Sequence, residues 1–197
     1  MKKAFGAVLL ITVLFFSCRK STVKPNTQTG STTGTVLVSQ GGTTVTTAND
    51  SLSDVKGSLR LQMAKDSINT DNILITFDPK AKSIYVPGAD APTMQGFGQV
   101  SLSSLSSDNV PLSIYTTPLT PKGLKIGLRV NAQNDGIYSL KLMSLDSVPE
   151  AYDLWLIDGY RKDSLEIRYN KSYGFNIFKS DTGSFGANRF KLVIRTR

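Results

Sequence analysis

Serine, threonine, carboxylate and amide side chains carry most of the possible chemistry in this chain, because its 197 residues include no histidine. Histidine is the commonest general base and metal ligand, so histidine-dependent triads and the usual zinc sites are excluded. Gly96-Phe97-Gly98 is a fragment of a glycine-rich loop, but it has no following helix that would cradle a phosphate. The sequence therefore predicts a protein that is not an enzyme and that uses no cofactor.

Two acidic stretches have the oxygen-rich composition that calcium prefers. One spaces Asp153, Asp158 and Asp163 evenly around a turn. The other, KDSINTDN, contains Asp66, Asn69, Asp71 and Asn72. Neither has the ordered ligand spacing of a calcium loop, and the preference of Asp and Asn for turns explains both equally well. We expect no metal site, with a weak calcium site as the alternative.

Aromatic residues crowd the last third of the chain, namely Tyr152, Trp155, Tyr160, Tyr169, Tyr173 and Phe175. Exposed rings can stack on sugars, so Tyr160, in the turn DGYRKD, and the single tryptophan, Trp155, are the candidate ligand-binding residues. For both of them, core packing is the favoured alternative. Tyr169 continues the face of Leu165 and Ile167 and is expected in the core.

The net charge of +8 is concentrated near the start of the chain. Lys2 and Lys3 belong to the leader, and Arg19, Lys20 and Lys24 follow it closely. Beyond residue 35 there remain 18 Lys and Arg against 15 Asp and Glu, which is typical of the solvated surface of a soluble domain. No basic stripe interleaved with aromatic residues is visible, so a nucleic-acid partner is not expected.

Cys18, the only cysteine, follows a short basic start and an apolar run over residues 4–16. The run has the length of a signal-peptide core and is too short to span a bilayer. Ser17-Cys18 resembles the lipobox of bacterial lipoproteins, although Phe15 stands where leucine is usual. We predict a signal peptide over 1–17 and acylation of Cys18. The alternative is an ordinary secretory signal that leaves a free thiol or removes it.

The segment after Cys18 consists mainly of Ser, Thr, Asn, Gln and Gly. Such a composition cannot bury a core and favours an extended, flexible tether. We predict a tether over 18–50, partly ordered from about residue 35. The folded domain is predicted over 51–197.

Alternation of apolar and polar residues runs through the rest of the chain in short stretches broken by turn residues. The inward positions are expected to include Leu59, Leu61, Met63, Ile73, Ile75, Phe77, Leu124, Ile126, Leu128, Val130, Phe190, Leu192 and Ile194. Many short strands with polar turns predict an all-β fold, a single antiparallel β-sandwich of immunoglobulin-like or jelly-roll-like type.

Three details of this pattern are specific enough to test. Asp135-Gly136 lies between two alternating runs and predicts a β-hairpin, whose central positions need positive φ. In RFKLVIRTR the cations, including Arg189, are expected on the outward face. In YDLWLID, Leu154 and Leu156 face one way and Trp155 the other, so the strand is apolar on both faces.

The segment from Leu59 to Arg195 resembles a β-sandwich module of Bacteroidetes secreted and surface proteins. The matching text includes TDNILITFDPKA, LKIGLRVNAQNDGIYSLKL, YDLWLIDGYRKDSLEIRYNKSYGFNI and FGANRFKLVIR. Its order is a hairpin, then a strand that ends in aspartate, then Asp-Ser-Leu, then Tyr-x-Phe, then Asn-Arg-Phe before a last strand. Such modules often precede a type IX secretion sorting domain, which is not expected after Arg197. The resemblance implies an envelope or surface role and supplies no catalytic residues.

These observations predict a lipoprotein of the outer membrane, on either its periplasmic or its extracellular face. Arg19 and Lys20 are not the acidic residues of an inner-membrane retention signal. The expected role is structural, adhesive or protein-binding, with another envelope protein as the partner. A glycan-binding surface lipoprotein and a fimbrial-type subunit are the alternatives, and a hydrolase comes last.

Overall fold

Eleven β-strands make up nearly all the regular structure of the chain in a computed structural model that describes residues 54–94 and 98–197. The strands are β1 Gly57–Ala64, β2 Thr70–Phe77, β3 Ala91–Pro92, β4 Val100–Leu105, β5 Pro111–Thr117, β6 Leu124–Ala132, β7 Gly136–Asp146, β8 Tyr152–Asp158, β9 Asp163–Glu166, β10 Ser172–Ile177 and β11 Gly186–Thr196. One 3₁₀ helix, Thr182–Ser184, precedes β11. The predicted all-β class is confirmed.

Several predictions concern residues that the structure does not describe. The signal peptide over 1–17, Cys18 and the tether over 18–50 all lie outside the described residues. Within the described part, no helix has the length and the apolar character that crossing a bilayer requires.

All eleven strands belong to one mixed sheet. The order across it is β10-β7-β1-β2-β5-β4-β6-β11-β8-β9, and β3 pairs with β5. Every described pair is antiparallel except β2 with β5. The predicted all-β class is therefore confirmed, whereas the predicted single antiparallel sandwich is not.

The sheet curls until its two end strands, β10 and β9, face each other and nearly close it. No backbone ladder joins these two strands, and side chains span the gap instead. The hydroxyl of Tyr173 on β10 lies 3.1 Å from the carboxylate of Asp163 on β9 and 3.3 Å from that of Asp158 on β8. Polar side chains therefore hold the ends of the sheet together.

The concave face of the curled sheet encloses one hydrophobic core. All the predicted inward positions are buried except Leu124, which is half-buried and packs against the core. Aromatic rings fill the end near β10, where Phe175 meets Phe190 edge-on with centroids 4.9 Å apart and Tyr173 meets Phe190 at 6.0 Å. The residues that face the core are therefore those that the alternation of apolar and polar residues in the sequence predicts.

The hairpin predicted at Asp135-Gly136 is wrong. Strand β6 pairs with β4 and β11, whereas β7 pairs with β1 and β10, so the connection crosses from one part of the sheet to another. A hairpin turn of the expected type needs positive φ at Asp135. Among the described non-glycine residues only Asn109, Ser147 and Lys162 have it.

A long-range contact fixes this connection. The carboxylate of Asp135 accepts a 2.6 Å hydrogen bond from the backbone N–H of Lys179, which follows β10. The hydroxyl of Tyr138 donates to the carbonyl of Asn134 at 2.7 Å. Asp135 therefore bonds to a segment more than forty residues away, which sequence alternation alone does not reveal.

Candidate functional site

Arg189 is the largest departure from the sequence-based expectations. It was expected on the outward face of β11, but its side chain is fully buried against Asp158, with Nη2 3.0 Å from Oδ2. The register of β11 against β6 shifts between Gly186 and Phe190, and this irregularity turns Arg189 inward. The same shift leaves Phe190 facing the core.

The buried guanidinium uses several acceptors around it. Nη1 donates to the carbonyl of Asn176 at 2.6 Å and to that of Ser184. Nε lies 3.3 Å from both carboxylate oxygens of Asp158. The rings of Phe175 and Phe190 lie 4.8 Å from its carbon. This degree of pairing offsets the cost of burying a charge.

Asp158 also accepts hydrogen bonds from groups other than Arg189. Its Oδ1 accepts hydrogen bonds from the backbone N–H groups of Tyr160 and Arg161, at 3.0 and 3.1 Å. The nearby Tyr173 is kept protonated, because burial and then the negative charge of Asp158 raise the pKa of its phenol. Every group in this cluster is engaged within the protein, so the cluster is structural.

The cluster gathers the ordered motifs on which the resemblance rests. The aspartate that ends β8 is Asp158, and Asp163 begins the Asp-Ser-Leu motif. Tyr173 belongs to Tyr-x-Phe, and Arg189 to Asn-Arg-Phe. Motifs spread over thirty residues therefore meet at the place where the sheet closes.

Tyr160 lies in the β8–β9 turn, as expected, and its side chain is 41% exposed. Its hydroxyl donates a 2.7 Å hydrogen bond to Asp181, and this bond raises the pKa of the phenol. One side of its ring covers the guanidinium of Arg189 at 5.0 Å. The ring of Tyr160 thus covers the buried ion pair on one side, and part of its surface is exposed to solvent.

Trp155 lies on the outward side of β8 and is half-buried, opposite the inward Leu154 and Leu156. The two-faced apolar strand predicted for YDLWLID is confirmed. The guanidinium of Arg195 lies 5.5 Å from the indole ring, and the indole nitrogen has no hydrogen-bond partner. Trp155 is not part of the core, and it lies in the middle of β8, outside the turn that holds Tyr160.

Tyr169, expected in the core, is 66% exposed. Strand β9 ends at Glu166, and the backbone turns there, with the N–H of Asn170 bonded to the carbonyl of Glu166. The alternation therefore does not continue to Tyr169. Its hydroxyl instead accepts a 2.8 Å hydrogen bond from Arg197, which also pairs with Asp153.

The aspartates considered as calcium ligands form ion pairs and hydrogen bonds with other groups of the protein. Asp153 pairs with Arg197 and Asp158 with Arg189. Asp66 accepts two backbone N–H bonds and one from the side chain of Asn69, which lower its pKa. In the described ranges no three acidic side chains come close enough together to hold a metal ion.

A different surface has the character of a binding site. Strands β4, β6 and β11 are neighbours in the sheet, and their sequences contain no acidic residue. Their outward positions carry four exposed cations, Lys125, Arg129, Lys191 and Arg195. We call this the basic face. In the described part of the chain, the ion pairs involve only Arg189 and Arg197, so these four cations have no carboxylate partner.

A hollow with a volume of about 310 Å³ opens at one end of the basic face. Its polar lining comprises Gln99, Ser101, Ser103, Arg129, Asn131, Gln133 and Lys179. The ammonium of Lys179 bonds to the side-chain oxygen of Asn131 at 3.2 Å and to the carbonyl of Ala132 at 2.9 Å. The hollow therefore presents hydroxyls, amides and two cations from β4, β6 and the residues that flank the strands.

A second hollow, of about 440 Å³, lies further along β6. Lys125, Gly127 and Lys191 contribute to its lining, together with Ser107 and Asn109. Gly127 leaves β6 without a side chain at this point, and a Cβ there would lie 3.0 Å from Leu105. Neither hollow has an acidic residue in its lining.

The sequence predicted outward cations on both strands, but the basic face itself was not predicted, because which strands are neighbours was not known. Part of the signal was present in the strands themselves, since LKIGLRVNA in β6 and KLVIR in β11 carry exposed cations and no acids. That these two strands are neighbours, with β4 beside them, depends on the topology. Comparison with known protein families, curated proteins and solved structures finds no match to this chain.

Proposed function

We propose that this protein is a lipid-anchored binding protein of the bacterial cell envelope, with no catalytic role. Acylated Cys18 holds it in the outer membrane, a polar tether follows, and the β domain captures a ligand outside the bilayer. The observation that carries the binding role is the basic face with its two polar hollows. Charged and polar groups converge there without an acid or a histidine that would act as a base.

The anchor is supported by the sequence before the domain. A basic start, an apolar run and a small residue before the sole cysteine are what lipoprotein processing requires. Two or more acyl chains hold a protein firmly, whereas a single chain holds it only marginally. We also propose that the domain is a variant of the Bacteroidetes β-sandwich module, in agreement with the convergence of its motifs around Asp158 and Arg189.

A fimbrial-type subunit is less well supported. Strand exchange between copies would need an open place in the sheet for a foreign strand. Among the strands that the structure describes, the two end strands are β9 and β10, and the Tyr173 hydroxyl spans the gap between them to Asp163 at 3.1 Å. A binding domain that acts as one folded unit needs no such exchange.

The lipid anchor is tested by the variant Cys18→Ala. We expect the wild-type chain to sediment with membranes and to move into the detergent phase on phase separation. The variant should be released to the soluble fraction or should accumulate as the uncleaved precursor, because it has no thiol to acylate.

Ser17→Ala serves as the matched control, since it keeps a small residue before the cysteine and should be anchored like the wild type. Protease treatment of intact cells then reports the face of the membrane. Retention of Cys18→Ala in the membrane in mature form would refute the lipid anchor.

A further inference from the structure

We propose that the basic face binds an anionic polysaccharide, a sugar polymer that carries carboxylate groups, along the outward side of β6. This inference rests on the proposed binding function and names its ligand class. The cations Lys125, Arg129 and Lys191 neutralise the acidic groups, and the hydroxyl and amide side chains of the hollow bond to sugar hydroxyls.

The length of the site fits a polymer. Both hollows border β6 and include outward residues of this strand, Lys125 and Gly127 in one and Arg129 and Asn131 in the other. From Lys125 to Asn131 the strand advances about 20 Å, at about 3.3 Å per residue. Between the cations, the side chain of Leu105 on β4 lies over Gly127. A small metabolite would occupy one hollow, whereas an extended chain can occupy both.

The charge distribution favours an acidic ligand. Lys125, Arg129, Lys191 and Arg195 point outward from adjacent strands, and none of them forms an ion pair in the described part of the chain, although Arg195 lies opposite Asp153 of β8. Like charges in such proximity repel one another, so a polyanion gains from neutralising them. Guanidinium groups also bind carboxylates with two parallel hydrogen bonds, which adds geometric selectivity at Arg129 and Arg195.

The remaining lining favours sugar over lipid or nucleic acid. Ser101, Asn131 and Gln133 provide the donors and acceptors that sugar hydroxyls need. Membrane-surface binding needs exposed apolar side chains, and the large apolar residues with high exposure lie on other strands or loops. Single-stranded nucleic acid needs stacking rings, and the one aromatic in either lining, Tyr115, is buried.

The test measures binding of the purified full chain to polygalacturonate at low ionic strength, by calorimetry and by affinity electrophoresis. Dextran is the uncharged polymer and polyphosphate is the polyanion without sugar. We expect binding to polygalacturonate only, weakened by salt. Arg129→Gln should lower the affinity about tenfold, the loss expected for one charge-assisted contact. The double variant Lys125→Gln/Lys191→Gln should lower it further.

Lys141→Gln is the matched control, because Lys141 is an exposed outward lysine on β7, away from the basic face. It should bind like the wild type. Equal affinity of Arg129→Gln and wild type would overturn the proposal, as would equal binding of polyphosphate. Binding to anionic phospholipid vesicles in place of polygalacturonate would also overturn it. So would loss of binding in Tyr160→Ala with Arg129→Gln unaffected.

The result of the polygalacturonate test can be distinguished from the result of the Cys18→Ala test of the lipid anchor. If polygalacturonate does not bind while Cys18→Ala is released from membranes, the ligand class is wrong and the anchored role stands. If polygalacturonate binds through Arg129 while Cys18→Ala stays in the membrane in mature form, the ligand class stands and the anchor is wrong.

Discussion

Carboxylates in this protein are used mostly as acceptors for backbone N–H groups near the ends of strands. Asp90 accepts from Val86 and from Thr116, at 2.8 and 2.7 Å. Asp71 accepts from the N–H of Leu102 on another strand at 2.8 Å. Such bonds to a charged acceptor stabilise turns and order loops. The aspartates that suggested calcium from the sequence thus have structural partners of their own.

Asp108 allows this role to be measured through its pKa. The side chain of Ser106 donates to it at 2.5 Å and the N–H of Tyr85 at 3.0 Å, and these two bonds lower its pKa below the ordinary value of 3.8. A carboxyl group whose pKa is lowered in the folded state stabilises the protein at pH values above its ordinary pKa. This stabilisation is lost as the pH falls through the folded-state pKa.

We predict that Ser106→Ala raises the pKa of Asp108 toward its ordinary value, as measured by NMR titration of the carboxyl carbons. The pKa of Asp66, which is lowered by its bonds with Asn69 and Ile68, should not change and serves as the internal control. An unchanged Asp108 titration in the variant would show that Ser106 does not stabilise its charged form.

Strand connections show how tightly the sheet is packed at its turns. Gly123 lies in the turn between β5 and β6, with φ of +85° and its N–H bonded to the carbonyl of Thr120 at 2.8 Å. A Cβ at this position would lie 2.5 Å from the carbonyl oxygen of Ile194 on β11. Both the backbone conformation and the space therefore require glycine.

We predict that Gly123→Ala lowers the free energy of unfolding by about 2 kcal/mol, as measured by urea denaturation. Gly174→Ala is the matched control, since a Cβ on this strand residue has no neighbour within 4 Å and needs no positive φ. The control should be neutral or stabilised by roughly 0.4–1 kcal/mol. Equal effects at both glycines would contradict the close approach at Gly123.

Closure of the sheet depends on interactions between segments that are distant in sequence. Arg189 of β11, Asp158 of β8 and Tyr173 of β10 meet where the two end strands face each other. Edge strands otherwise present free backbone groups that invite association. A buried ion pair placed at this gap fixes how the two ends of the sheet are joined.

We predict that Arg189→Met destabilises the protein by roughly 3–5 kcal/mol, because it leaves the charge of Asp158 buried without its partner. Arg197→Met is the control, since the Arg197–Asp153 pair is partly exposed to solvent and its loss should destabilise the protein much less. Urea denaturation measures both.

The double variant Asp158→Asn/Arg189→Met separates pairing from packing. It should be destabilised less than the sum of the two single variants, because neither change then leaves an unpaired charge. Additive effects would mean that the ion pair does not contribute as a pair.

The all-β class and the inward faces of the strands were readable from the sequence. Leu59, Leu61 and Met63 are buried as their alternation predicts, because the side-chain period of a strand is a local property of the backbone. The two-faced character of β8 around Trp155 followed from the same rule. A lipoprotein leader ending at Cys18 is likewise a local pattern, and it remains a prediction.

Only the tertiary structure decided the order of the strands, the burial of Arg189 and the existence of the basic face. Strand pairing depends on contacts between distant segments, so Asp135-Gly136 looked like a hairpin and became a crossing connection. An irregularity in the register of β11 reversed the direction of Arg189. The cations of β6 and β11 became one surface because the sheet places these strands side by side, and no local pattern contains that information.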